Sequence, residues 1–76
     1  MRVSELAKKA SVTAETVRHY TRLGLINAER DPNNGYQLYD KVGLQRLHFI
    51  RQASELGFSL KQIEEIFQQS DSGDSP

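Results

Sequence analysis

The sequence predicts a mainly α domain of four helices with a small two-stranded β-hairpin. Three observations carry this expectation. Residues 3–20 read as two short helices joined by a tight turn, Ser11-Val12-Thr13. Asp31-Pro32-Asn33-Asn34-Gly35 is a dense turn signal, and Tyr36-Gln37-Leu38-Tyr39 follows it as a short strand. Residues 41–69 then carry apolar side chains at helical spacing, with a stop at Gly57. Two helices about a tight turn, followed by a hairpin, define a winged helix-turn-helix. In that arrangement the second helix can enter the major groove of DNA.

Taken in order, the first helix covers about residues 4–10, with Ser4 as its N-cap and Leu6, Ala7 and Ala10 on its apolar side. The second covers about 14–23. Thr13 caps it, Glu15 suits the positive end of the helix, Val17 anchors it and Gly24 stops it. The hairpin follows, and Asn34-Gly35 suits a type I′ turn, which needs positive φ at both residues. A lone hairpin is marginal in water, so this wing must lean on the helices, through Leu25, Ile26 and Leu38. The third helix spans about 41–56, capped by Asp40, with a stripe of Leu44, Leu47, Phe49, Ile50, Ala53 and Leu56; Gly43 weakens its first turn. The fourth spans about 60–69. Ser59 and Gln62 form a capping box, Phe58 and Ile63 hold the positions of a hydrophobic staple, and Leu60, Ile63, Ile66 and Phe67 make its buried face. One domain over 1–69 results. Residues 70–76 are small, polar and acidic, and read as a flexible linker.

Composition narrows the function. With 76 residues the chain has room for one small domain and little space for an enclosed active site. It has no cysteine, so disulfides and thiolate metal sites are excluded within it, and a cytoplasmic location is expected. No stretch approaches a membrane span and no signal peptide is visible. The formal net charge is zero, but it is unevenly placed: residues 1–51 carry a net +4 and residues 52–76 a net −4. A basic N-terminal two-thirds suits a polyanion, although two ordinary solvated faces would give the same count. There is no nucleophile–base pair, carboxylate dyad or phosphate-cradling glycine loop, so an enzyme is not expected. His19 and His48 lie on different predicted helices without an acidic partner at ligand spacing, and no metal or other cofactor is expected in this chain.

On a helical wheel of the second helix, Val17 marks the core side while Glu15, Arg18, His19 and Arg22 fall opposite. Arg18 and Arg22 can contact phosphate or read guanine, and His19 can hydrogen-bond a base edge or phosphate. Thr13 and Thr16 are short polar groups near the N-terminal end, where recognition helices meet bases. Tyr20 borders the core with a hydroxyl able to reach the DNA backbone. Glu15 reads either as a cytosine contact or as a helix-start stabiliser. The wing offers Arg30, Asn34, Tyr36 and Gln37. Tyr36 and Tyr39 can each pass a hydroxyl to phosphate or plug the core under the hairpin. Arg51 is either a further backbone contact or a salt-bridge partner of Glu55.

These segments in this order are familiar: Val17-Arg18-His19-Tyr20, Gly24-Leu25-Ile26, Asn34 to Tyr39, Leu44-Gln45-Arg46-Leu47, Phe49 to Ala53, and Leu56 to Ile63. From about residue 2 to residue 69 the chain resembles the N-terminal DNA-binding domain of the MerR family of bacterial transcription regulators. The Leu44–Ala53 and Leu56–Leu60 stretches look most like its metal-responsive branch. The resemblance implies double-stranded promoter DNA as the partner, bound as a homodimer by the full-length regulator. An effector then makes the dimer distort an over-long promoter spacer for RNA polymerase. It implies that Arg18 and Tyr20 belong to the family's contact motif and that Tyr36 is the wing tyrosine. The dimerisation helix and effector site, with a metal ion the effector that the likeness to the metal-responsive branch implies, would lie in a C-terminal region beyond this chain, which alone would be a monomer. The chain departs from the family at His19, where Phe or Tyr is usual, at Gln37, where the wing usually has arginine, at Thr21, where an acid is common, and over Arg30 to Gly35. Weaker or retuned backbone contacts are expected. Two other readings remain: a stand-alone architectural DNA binder similar to excisionases, and a protein-interaction adaptor.

Overall fold

The computed structural model describes residues 1–72, with side chains through residue 69. The elements run α1 (Val3–Ala10), α2 (Ala14–Arg22), β1 (Glu29–Arg30), β2 (Gln37–Leu38), α3 (Lys41–Glu55) and α4 (Leu60–Ser72). The four helices and the hairpin follow the predicted order. α4 continues three residues past the predicted end, through Ser72. The remainder of the predicted acidic linker lies outside the described residues.

Local chemistry sets most of these boundaries. Thr13 Oγ1 accepts from the Thr16 amide at 3.1 Å, and an Asp40 carboxylate oxygen accepts from the Gly43 amide at 3.2 Å. At α4 the capping box is complete. Ser59 Oγ accepts from the Gln62 amide at 3.2 Å, and Gln62 Oε1 accepts from the Ser59 amide at 2.9 Å. Ser4 is not a cap. α1 starts at Val3, with Arg2 at the N-cap position and no side-chain cap bond, and the Arg2 carbonyl accepts from the Leu6 amide at 2.9 Å. α1 closes on Ser11 at φ 60°, a left-handed residue, with the Val12 amide reaching back to the Ala7 carbonyl at 3.0 Å. α2 closes in the same way at Gly24, φ 82°, with the Leu25 amide on the Tyr20 carbonyl at 3.0 Å.

The hairpin pairs Glu29 with Leu38 and Arg30 with Gln37, antiparallel. Its connection is longer than a two-residue type I′ turn. Only Gly35 has positive φ there, at 76°, because the turn is built from side-chain bonds instead. Asp31 Oδ1 accepts from the Asn33 amide at 2.8 Å and Asn34 Oδ1 from the Tyr36 amide at 3.0 Å, while the Asp31 carbonyl accepts from the Gly35 amide at 2.8 Å. Tyr36 therefore lies in the loop and not in the strand. The N-terminus braces the hairpin: Met1 N and the Tyr39 carbonyl bond at 2.6 Å, and the Tyr39 amide returns a bond to the Met1 carbonyl, also at 2.6 Å.

The core has two adjoining parts. Leu6, Ala7, Ala10, Val17, Ile26, Tyr39 and Leu47 fix α1, α2 and the wing against α3. Leu25, Ile50, Ala53 and Ile63 fix α4 against α3. Tyr20 packs on both. Some of the predicted stripe stays outside. Leu56 is 78 % exposed, because the helices that pack on α3 cover the side of Leu47, Ile50 and Ala53, and Phe49 is 39 % exposed, covered only in part by the Phe67 ring of α4 at 5.5 Å between centroids. Phe58 and Ile66 are likewise exposed, and the wing contact Leu38 is half-buried.

Candidate nucleic-acid interface

α2 is held by the fully buried Val17 and turns Glu15, Arg18, His19 and Arg22 outward. Its N-terminal end is formed by Thr13 and Thr16, whose hydroxyls lie 2.9 Å apart in the cap. Glu15 takes up both arginines: its carboxylate is 3.7 Å from the Arg18 guanidinium and 3.6 Å from that of Arg22. All three side chains are more than half exposed, so these pairs are open to water and salt. The His19 ring lies tilted against Tyr20, with centroids 5.8 Å apart. The Tyr20 ring is half-buried in the seam between the two parts of the core.

The two tyrosines of the wing divide the roles that sequence left open. Tyr39 is the core plug, only 4 % exposed, whereas Tyr36 is 51 % exposed. Tyr39 also ties the wing to α2. Its hydroxyl lies 2.7 Å from Thr21 Oγ1, which itself donates to the Val17 carbonyl at 2.7 Å, and it approaches Gln37 Oε1 at 3.5 Å. Arg30 donates to the Gly35 carbonyl at 3.0 Å across the wing loop, so Arg30 and Asn34 shape that loop from within.

The fold brings Arg18 to the meeting point of helix and wing. A groove of about 380 Å³ is lined by Arg2, Val3, Ser4, Arg18, Gly35, Tyr36 and Gln37. A neighbouring groove is lined by Arg18, Thr21, Arg22 and Gln37. Among the described residues, no acidic residue lines either one. Arg51 is placed differently. It donates to the Ala10 carbonyl at 3.2 Å, closing the end of α1, lies 4.0 Å from Glu55, and lines a separate hollow with His48 and Gln52. Sequence reading passed over Arg2, whose guanidinium sits 3.9 Å from the Tyr36 ring centroid. A cation just ahead of a helix carries no periodicity that would assign it to a face. Among the described residues, no group of three or more His, Cys, Asp or Glu is placed to hold a metal ion, and no helix is long and apolar enough to cross a membrane.

A capped, outward-facing helix carrying arginines, set beside a hairpin wing across acid-free grooves, defines a winged helix-turn-helix DNA-binding domain. The model of the MerR HTH family of regulatory proteins matches residues 1–70, and the chain belongs to that family. It is 45 % identical over 65 residues to the mercuric resistance operon regulatory protein of Bacillus cereus, covering 86 % of this chain and 49 % of that protein. The chain thus spans about half the length of that relative. Among solved structures it is similar to the transcription regulator PbrR691 of Ralstonia metallidurans CH34 in complex with lead(II), with TM-score 0.84, 36 % identity, and coverage of 100 % of this chain and 59 % of that one. It is also similar to the regulator in the EcmrR–DNA complex within EcmrR-RPo, with TM-score 0.71, 30 % identity, and coverage of 100 % and 28 %.

Proposed function

We propose that this domain directs a transcriptional regulator to promoter DNA by placing α2 in the major groove and the wing on the flanking backbone. The observation that carries this reading is the position of Arg18, which lines both grooves between helix and wing. Arg18 and Arg22 meet phosphate or guanine, His19 meets a base edge, and Thr13 and Thr16 present their small hydroxyls at the end of the helix nearest the bases. Tyr36 and Gln37 face the backbone from the wing. Tyr20 acts mainly by its position in the core seam, with its hydroxyl toward the DNA. Arg30 and Asn34 hold the wing loop in shape, and Arg51 serves the backbone from α3 while closing α1.

The whole regulator acts as a homodimer on a two-fold site, through sequence that this chain does not include, and alters promoter geometry for RNA polymerase. Its effector is a metal ion held in that further sequence. Support for this comes from the similarity to a mercuric resistance regulator and to a regulator solved with lead(II). The regulator works in the cytoplasm, where promoters are, and has no catalytic role.

The test is an amide chemical-shift titration of the labelled chain with a promoter-like duplex at low and then moderate salt. Salt-sensitive shifts centred on residues 13–22 and 34–39 are expected. Arg18→Ala is expected to weaken binding by about 1–3 kcal/mol while the domain stays folded. A folded wild-type chain with no shifts at either salt overturns the reading and favours the adaptor alternative.

A further inference from the structure

The groove between α1, α2 and the wing contains a cation that the reading above does not use. The chain has six arginines. Five of them are engaged by oxygen: Arg18 and Arg22 by Glu15, Arg30 by the Gly35 carbonyl, Arg46 by the Leu25 carbonyl, and Arg51 by the Ala10 carbonyl. Arg2 differs. Among the described residues its side chain meets an aromatic face and no oxygen partner, lying 3.9 Å from the Tyr36 centroid. Its backbone is fixed on both sides, by the paired Met1–Tyr39 bonds before it and by the Arg2 carbonyl's bond to the Leu6 amide after it. A guanidinium seated over an aromatic face leaves its fork of donors free for a further partner, and that fork matches phosphate in bidentate fashion.

We propose that Arg2, seated over the Tyr36 ring, is a further DNA-binding residue that grips a backbone phosphate of the duplex beside the wing. The neutral Gln37 and the exposed Tyr36 give the wing side of this groove no charge of its own, and Arg2 supplies one from the N-cap position of α1. A phosphate entering between Arg2 and Arg18 meets two guanidiniums, of which only that of Arg18 already has a carboxylate beside it, Glu15 at 3.7 Å. This inference rests on the proposed DNA-binding reading.

The experiment measures anisotropy of a labelled 30-bp mixed-sequence duplex, titrated with the chain from 50 to 200 mM salt. A mixed sequence suffices because a phosphate contact carries no sequence information. Loss of one phosphate contact lowers the slope of log K against log salt by about 0.9. The affinity ratio between wild type and Arg2→Ala is therefore expected to shrink ~3.5-fold over that fourfold salt range. Arg2→Lys is expected to keep the wild-type slope at reduced affinity, since the charge remains and the planar fork is lost. Lys61→Ala, on α4, is the control and is expected to bind as wild type. A folded Arg2→Ala with the wild-type slope overturns the inference, while a lowered slope for Arg18→Ala in the same assay leaves the DNA-binding reading standing. Full wild-type affinity in Arg2→Lys overturns the part given to the Tyr36 stack. Failure of the wild-type chain to bind at either salt overturns both.

Discussion

Thr21→Val isolates the side-chain hydrogen bond that joins α2 to the wing at Tyr39. Valine keeps the shape of threonine and removes the hydroxyl that bonds both the Val17 carbonyl and the Tyr39 hydroxyl, each at 2.7 Å. The Val17 carbonyl keeps its bond within the helix. The Tyr39 hydroxyl is left with Gln37 Oε1 at 3.5 Å, beyond the useful O–H···O range. Tyr39 is a core residue at 4 % exposure, so its hydroxyl loses a partner where water reaches it poorly. An unsatisfied buried hydroxyl costs roughly 1–3 kcal/mol, and part-burial of this pair places the expected loss at about 1–2 kcal/mol. In a domain of this size that lowers Tm by roughly 5–15 °C. The assay is thermal unfolding followed by circular dichroism, run as a double-mutant cycle with Tyr39→Phe. Removing both hydroxyls leaves nothing unsatisfied, so the double variant is expected to be more stable than Thr21→Val alone. Strict additivity, or a Thr21→Val variant as stable as wild type, refutes the argument that this bond joins helix and wing.

Two further substitutions follow from the geometry. Gly43 sits inside the first turn of α3, and an added Cβ would meet Tyr39 and Leu6 side-chain atoms at 3.8–3.9 Å, ordinary contact distances. Gly43→Ala is therefore expected to stabilise the domain by roughly 0.5–1 kcal/mol in urea unfolding, and a loss of stability would show that the contact is tighter than these distances imply. Gln37→Arg places a charge in both grooves, so duplex affinity is expected to rise and the salt slope to steepen by about 0.9. An unchanged slope would show that position 37 does not face the DNA backbone.

What the sequence revealed and what it hid divide along the range of the interactions. The caps at Thr13, Asp40 and Ser59–Gln62 were legible because each is a bond between a side chain and an amide three residues on. The buried set of Leu6, Val17, Leu47, Ile50 and Ile63 was legible because helical spacing marks it. Spacing cannot fix the width of a buried stripe. Phe49 and Leu56 belong to the right pattern, yet Leu56 is left open and Phe49 is covered only in part, by Phe67 of α4. Asn34-Gly35 carries the signature of a type I′ turn, while the competing side-chain bonds of Asp31 and Asn34 that build the actual wing loop depend on the loop's full length. The division of Tyr36 and Tyr39 between surface and core, and the reach of Arg2 onto Tyr36, are tertiary facts with no local signal.

Net charge is a poor guide to this molecule because the acids are not where the grooves are. Glu15 lines neither groove, and its single carboxylate stands against two guanidiniums. Neutralising one of the two leaves the outward face of α2 positive, and at about 0.15 M salt charges farther than ~8 Å from that face are largely screened. The pairs themselves are exposed and lie at 3.6–3.7 Å, so they hold the arginines near the helix without fixing them there. A phosphate entering the groove competes with a carboxylate that already shares its two partners, and the exchange demands little. The same carboxylate works against phosphate approaching the first turn of α2. On the proposed DNA-binding reading, Arg18, which lines both grooves, and Arg2, which among the described residues has no carboxylate beside it, are therefore the positions where an added phosphate gains most.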